Sequence, residues 1–137
     1  MPSYRLVLAP DIAEIPRLLD WVEGCCGAAG VTGDVAGKMA LALEEAAANV
    51  INHAFLNSAP SHRLAVTVTI EADCVTAEII DNGKAFDPSA APEPDCTLPL
   101  DARHPGGLGL HLIRKLMDRV DYCRIDGENR LRLEKVR

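Results

Sequence analysis

The sequence predicts an α+β protein, a two-layer sandwich with helices gathered on one face of a mostly antiparallel mixed sheet. Alternating runs such as Arg63–Glu71 (RLAVTVTIE) put Leu64, Val66, Val68 and Ile70 on one side of a strand. Met39, Leu43, Ala46, Val50 and Ala54 recur at three- and four-residue steps, the stripe a helix turns to a core. Strands that follow one another across short turns favour antiparallel pairing.

In chain order, Tyr4–Leu8 reads as a strand. Asp11 with Glu14 forms a capping-box pattern opening a helix whose apolar positions are Ile12, Ile15, Leu18, Leu19 and Val22. Gly27 and Gly30 end it. Thr32 or Asp34 caps a second helix, expected to reach about Phe55. Arg63–Glu71 and Cys74–Ile80 read as a hairpin through Ala72–Asp73. A long proline-bearing segment follows, and a lid over about 86–105 is expected. From Leu108 the pattern LGLHLIRKLMD is helical, with Leu108, Leu112, Ile113 and Leu116 on one face. Val120–Ile125 and Leu131–Val136 close the order as strands around the turn Asp126-Gly127-Glu128-Asn129.

The 137 residues suit a single domain over 1–137. A net charge of −6 argues against a partner with a phosphate backbone, and 4% aromatics argues against base-stacking platforms. There is no run of about 18 apolar residues to span a membrane, and MPSYRLVLAPDIAEIP lacks a basic stretch followed by an apolar core, so no export is expected. The five cysteines are odd in number and lack metal-ligand spacing, which fits reduced thiols in the cytoplasm.

Candidate chemistry begins on LALEEAAANVINHAF (41–55), where Glu45, Asn49, Asn52 and His53 share a helix face unless that face is simply solvated. An amide oxygen can ligate a hard cation while a carboxylate one turn away accepts a proton. Glu44 lies about 100° around the wheel from Glu45 and is the weaker candidate. Asp81, at the end of a buried strand and before Gly83, can accept from a flat ligand that nears the backbone, although Asp-Asn-Gly is also a common turn. Gly106, Gly107, Leu108 and Gly109 lead into a helix, where glycine backbone and helix terminus can cradle phosphate. Arg103 and His104, just before it, can meet phosphate oxygens if the lid closes. The loop matches neither the P-loop nor the dinucleotide fingerprint.

Taken together, ExxxN on a helix, DxG after a strand and GGxG opening a helix resemble the N-box and the two glycine boxes of the Bergerat-fold (GHKL) ATPases. That superfamily includes gyrase-type ATPases, large heat-shock chaperones and histidine kinases. LALEEAAANVINHAF, DNGKAFDP and GGLGLHLIRKLMD are most similar to the small bacterial anti-sigma-factor serine/threonine kinases. The resemblance implies Glu45 as general base, Asn49 as the Mg²⁺ ligand, and Asp81 as acceptor for the adenine amino group. Gly83 would let the base pack close, and Gly107 and Gly109 would surround the phosphates of ATP. His53 would orient or screen the phosphate end, the alternative being a purely structural helical histidine. Ala85 stands where many relatives carry a second glycine, a departure shared with the kinase subgroup, which keeps the following Phe86-Asp87. The implied partners are a sigma factor and an anti-sigma-factor antagonist, with the chain pairing as a homodimer. A different expectation is a nucleotide-binding regulatory module that sequesters its partner without phosphoryl transfer.

Overall fold

The computed structural model describes residues 2–55, 62–85 and 107–137, with side chains of the last stretch from 111 onward. Strands Ser3–Leu8 (β1), Leu64–Ile70 (β2), Cys74–Asp81 (β3), Arg119–Ile125 (β4) and Glu128–Val136 (β5) form one sheet. Its order is β1-β2-β3-β5-β4, and every described pairing is antiparallel. Helices Ile15–Ala28 (α1), Gly33–Asn49 (α2) and Gly107–Leu116 (α3) pack against it.

Alternation decides which side of the sheet is buried. Leu64, Val66, Val68 and Ile70 of β2 lie inward, as do Val75, Ala77 and Ile79 of β3 and Leu131 and Leu133 of β5. They meet Met39, Leu43, Ala46, Val50 and Ala54, the stripe expected from helical spacing, all of them buried. Thr32 caps α2 by accepting from the Val35 N–H, which satisfies one of the unpaired donors of a first turn.

Three local expectations change. Asp11 does accept from the Ala13 N–H, but it caps a short 3₁₀ turn, Ile12–Glu14, ahead of α1. Glu14 reaches the Ala9 N–H instead of closing the box on Asp11. Ile12 is consequently 50% exposed and outside the core.

The second change is at the end of α2. Its α-helical part stops at Asn49, and Val50–Ala54 form a π-helical turn closed by the Phe55 N–H on the Val50 carbonyl. Such i→i+5 bonding adds a residue to the turn and throws later side chains out of α-helical register. His53 therefore no longer sits squarely one turn beyond Asn49.

The last change is at the β4–β5 turn. Asp126 (φ 52°) and Gly127 (φ 77°) are both left-handed, the signature of a two-residue primed turn that matches strand twist. β5 thus starts at Glu128, and Asn129, expected in the turn, belongs to the strand.

Candidate active site

The shortened turn sets a register with chemical consequences. Asp81 on β3 pairs with Asn129 on β5, and Asn129 pairs with Arg124 on β4. The same row continues through Leu64 to Leu8. The end row of the sheet is therefore apolar at one edge and polar at the other.

Asp81 and Asn129 are each only 3% exposed. Among the described residues, Asp81 accepts two hydrogen bonds, both on Oδ1, from the Gly83 N–H at 2.9 Å and Asn129 Nδ2 at 3.0 Å. Asn129 Nδ2 also donates to the Lys84 carbonyl at 2.7 Å, while its Oδ1 accepts from the Tyr122 hydroxyl and from Arg124 at 2.9 Å. Arg124 donates a further bond to the Gly83 carbonyl at 3.2 Å. Buried polar groups are tolerated when so many partners are present.

Burial pushes the Asp81 carboxyl above the usual carboxylate range. Hydrogen bonds from Asn129 and Gly83, and the nearby Arg124 guanidinium, pull the other way without cancelling the rise.

The π-helical turn contributes Val50 to the cavity beside Asp81 and packs its far end on the segment after β3. It brings the Ala54 carbonyl onto the Lys84 N–H at 3.0 Å. A Cβ placed on Gly83 would stand 2.6 Å from the Ala54 oxygen. Among the described residues, then, the room left by glycine at 83 is taken by the Ala54 backbone.

Asn49 comes from α2 into this same cleft, which is lined by Ala46, Asn49, Val50, Asp81, Tyr122, Asn129 and Leu131. Asn49 is buried, and its amide has no hydrogen-bond partner among the described residues. The cavity is about 10 Å³, room for roughly one water. A base enters only if the walls part. The donor set nonetheless suits a nucleotide: among the described residues, a carboxylate oxygen is left without an internal partner for an exocyclic amine, and an amide without one for a cation.

The chain matches the histidine kinase-like ATPase domain over residues 8–135. It belongs to that family. The serine/threonine-protein kinase BtrW of Bordetella bronchiseptica is 39% identical over 97 residues, covering 69% of this chain and 66% of that protein. The serine-protein kinase RsbW of Halalkalibacterium halodurans is 31% identical over 104 residues, covering 73% of this chain and 62% of its own length. These two matches therefore span just under two thirds of those relatives. RsbW of Staphylococcus epidermidis is 29% identical over 130 residues, covering 91% of this chain and 80% of that protein. The RsbU and RsbW domains of Rv1364c from Mycobacterium tuberculosis share the fold, with TM-score 0.71 and 14% identity over 99% of this chain and 33% of that one. So does the histidine kinase domain of the Erythrobacter litoralis EL346 blue-light activated kinase, with TM-score 0.57 and 15% identity over 90% of this chain and 59% of that one.

Within this ATPase domain the structure joins Asn49 and Asp81 in one cleft. Glu45 stands half-buried one turn earlier on α2, with no ion-pair partner among the described residues. Gly107, Leu108 and Gly109 open α3, where first-turn N–H groups lack intrahelical acceptors. His53 is half-buried in the π-helical turn, and Ala85 is exposed at the end of a described stretch. Arg103, His104, Gly106 and the expected lid over 86–105 lie outside the described residues. Among the described residues no helix of this domain is long and apolar enough to cross a membrane.

Sequence reasoning missed Asn129, Arg124 and Tyr122. The signal was present: Asp-Gly between two strands marks a two-residue hairpin turn, and that places Asn129 in step with the inward Leu131 and Leu133.

Proposed function

We propose that the chain is an ATP-binding anti-sigma factor and protein serine/threonine kinase that phosphorylates an anti-sigma-factor antagonist, so that phosphorylation decides which partner it holds. The observation that carries the reading is the meeting of Asn49 and Asp81 in one buried cleft, in a member of an ATPase family whose relatives include proteins named serine and serine/threonine kinases.

Asp81 would accept a hydrogen bond from the amino group of adenine. Gly107 and Gly109, with Arg103 and His104 approaching from the lid, would surround the phosphates. Asn49 would hold Mg²⁺, which when bound offsets the negative charge of the triphosphate. Glu45, one helical turn away, would take the proton from the attacking serine or threonine hydroxyl. A homodimer in the cytoplasm fits the same subgroup.

Transfer of labelled γ-phosphate to candidate antagonists tests this. Glu45→Ala should lower transfer by about 10²- to 10⁴-fold while nucleotide affinity stays near wild type. Full transfer in that variant would remove Glu45 as the base. Nucleotide uptake with no transfer to any antagonist would leave the sequestering module in place of the kinase.

A further inference from the structure

The amide of Asn129 is held from both ends. Its Nδ2 faces two acceptors, Asp81 Oδ1 and the Lys84 carbonyl, and its Oδ1 faces Tyr122 and Arg124. A guanidinium offers only donors, so a reversed amide would set N–H against N–H on one side and oxygen against a carboxylate on the other. The orientation is therefore fixed by chemistry, and it fixes Asp81 in turn. With Oδ1 occupied by Asn129 and by the Gly83 N–H, the acceptor that Asp81 has left for the cleft among the described residues is Oδ2.

The geometry points to Asn129, braced by Tyr122 and Arg124, as a positioning residue that makes the cleft selective for a purine bearing an exocyclic amine. Two effects combine. Asp81 is clamped with one acceptor oxygen presented, which suits an amine and repels the carbonyl of a 6-oxo purine. The Asn129 N–H groups are also engaged by Asp81 and Lys84, so they are not offered to that carbonyl. An asparagine able to turn would blur this choice by donating to the oxygen. Arg124 adds a brace from β4 by holding the Gly83 carbonyl and the Asn129 oxygen together.

The inference rests on Asp81 as the base reader, and the test separates the two. Calorimetric titration compares ATP with the purine ribonucleoside triphosphate that lacks the 6-amino group, on the full chain. Wild type should prefer ATP by about tenfold or more, the worth of a hydrogen bond to a charged acceptor. Asn129→Asp keeps the shape and the acceptors for Tyr122 and Arg124 but sets a second carboxylate against Asp81. Preference for ATP should then fall below about threefold, with affinity for the amine-free nucleotide nearly unchanged, whereas a merely structural lesion would weaken both alike. Tyr122→Phe, which loosens one brace, should lower the preference partway and serves if Asn129→Asp does not fold. Wild-type preference in the variant that folds overturns the inference. Asp81→Asn is the second arm. If it abolishes the preference while Asn129→Asp leaves it intact, only the positioning role fails. If Asp81→Asn keeps the preference, the base reading fails and takes the inference with it.

Discussion

Replacing Asp81 by Asn should weaken nucleotide binding without lowering fold stability. The side chain is 3% exposed and, among the described residues, its internal bonds both fall on Oδ1. An amide oxygen can take those two bonds over, so the change is concentrated at Oδ2. There an N–H would face the amine of the base, donor against donor. Losing a hydrogen bond to a charged acceptor costs about 1.5–3 kcal/mol, or roughly 10- to 150-fold in affinity. Stability answers to a different effect. Burial raises the folded-state pKa of Asp81, so the native protein holds the carboxyl proton more tightly than the unfolded chain does. The stabilising share of that proton is complete below the unfolded value and is lost as pH rises through the folded one. An amide does not titrate. Thermal unfolding at neutral pH should give the variant an unfolding temperature equal to or above wild type, while calorimetry with an ATP analogue records the weakened binding. Unchanged affinity would refute Asp81 as base reader, and a clearly lower unfolding temperature at neutral pH would refute the reasoning about burial.

Two further outcomes concern the fold. Gly83→Ala should destabilise by about 1–3 kcal/mol in urea unfolding, because the new methyl meets the Ala54 carbonyl carbon and oxygen at 2.8 and 2.6 Å, and both are backbone; an unchanged midpoint would mean that the π-helical turn yields at no cost. Asp118 accepts from the Val136 N–H at 2.7 Å and pairs with Lys135 at 3.4 Å, and chiefly that backbone bond holds its carboxyl below the usual range. Its contribution is present above the unfolded pKa and lost as pH falls through the lowered folded value, so Asp118→Asn should flatten the acid side of the stability profile; identical profiles would remove this carboxylate from acid unfolding.

Much of the architecture was legible because it depends on local periodicity. The stripe of Met39, Leu43, Ala46, Val50 and Ala54 and the alternation of Leu64 to Ile70 are properties of neighbours in sequence, and both ended in the core. Helix caps are equally local, which is why the spacing narrowed this one to Thr32 or Asp34, and the fold uses Thr32. The π-helical turn was not legible: Val50–Ala54 satisfies a helical pattern equally well with i→i+4 or i→i+5 bonds. The Ala54 carbonyl of that turn accepts from the Lys84 N–H, a long-range contact that no local pattern encodes.

For the candidate site, the sequence alone determined the chemistry on offer. It placed a carboxylate and an amide one helical turn apart, a second carboxylate ending a strand, and glycines opening a helix. Tertiary structure decided which of these meet. Asp81 and Asn129 are 48 residues apart, and their bond exists because the Asp126–Gly127 turn sets the register of β5 while the sheet order lays that strand beside β3. A hydrogen bond between distant residues depends on where the whole sheet puts its rows. Composition and spacing fix each strand's inward face, and only the closed fold fixes which polar groups stand opposite one another on it.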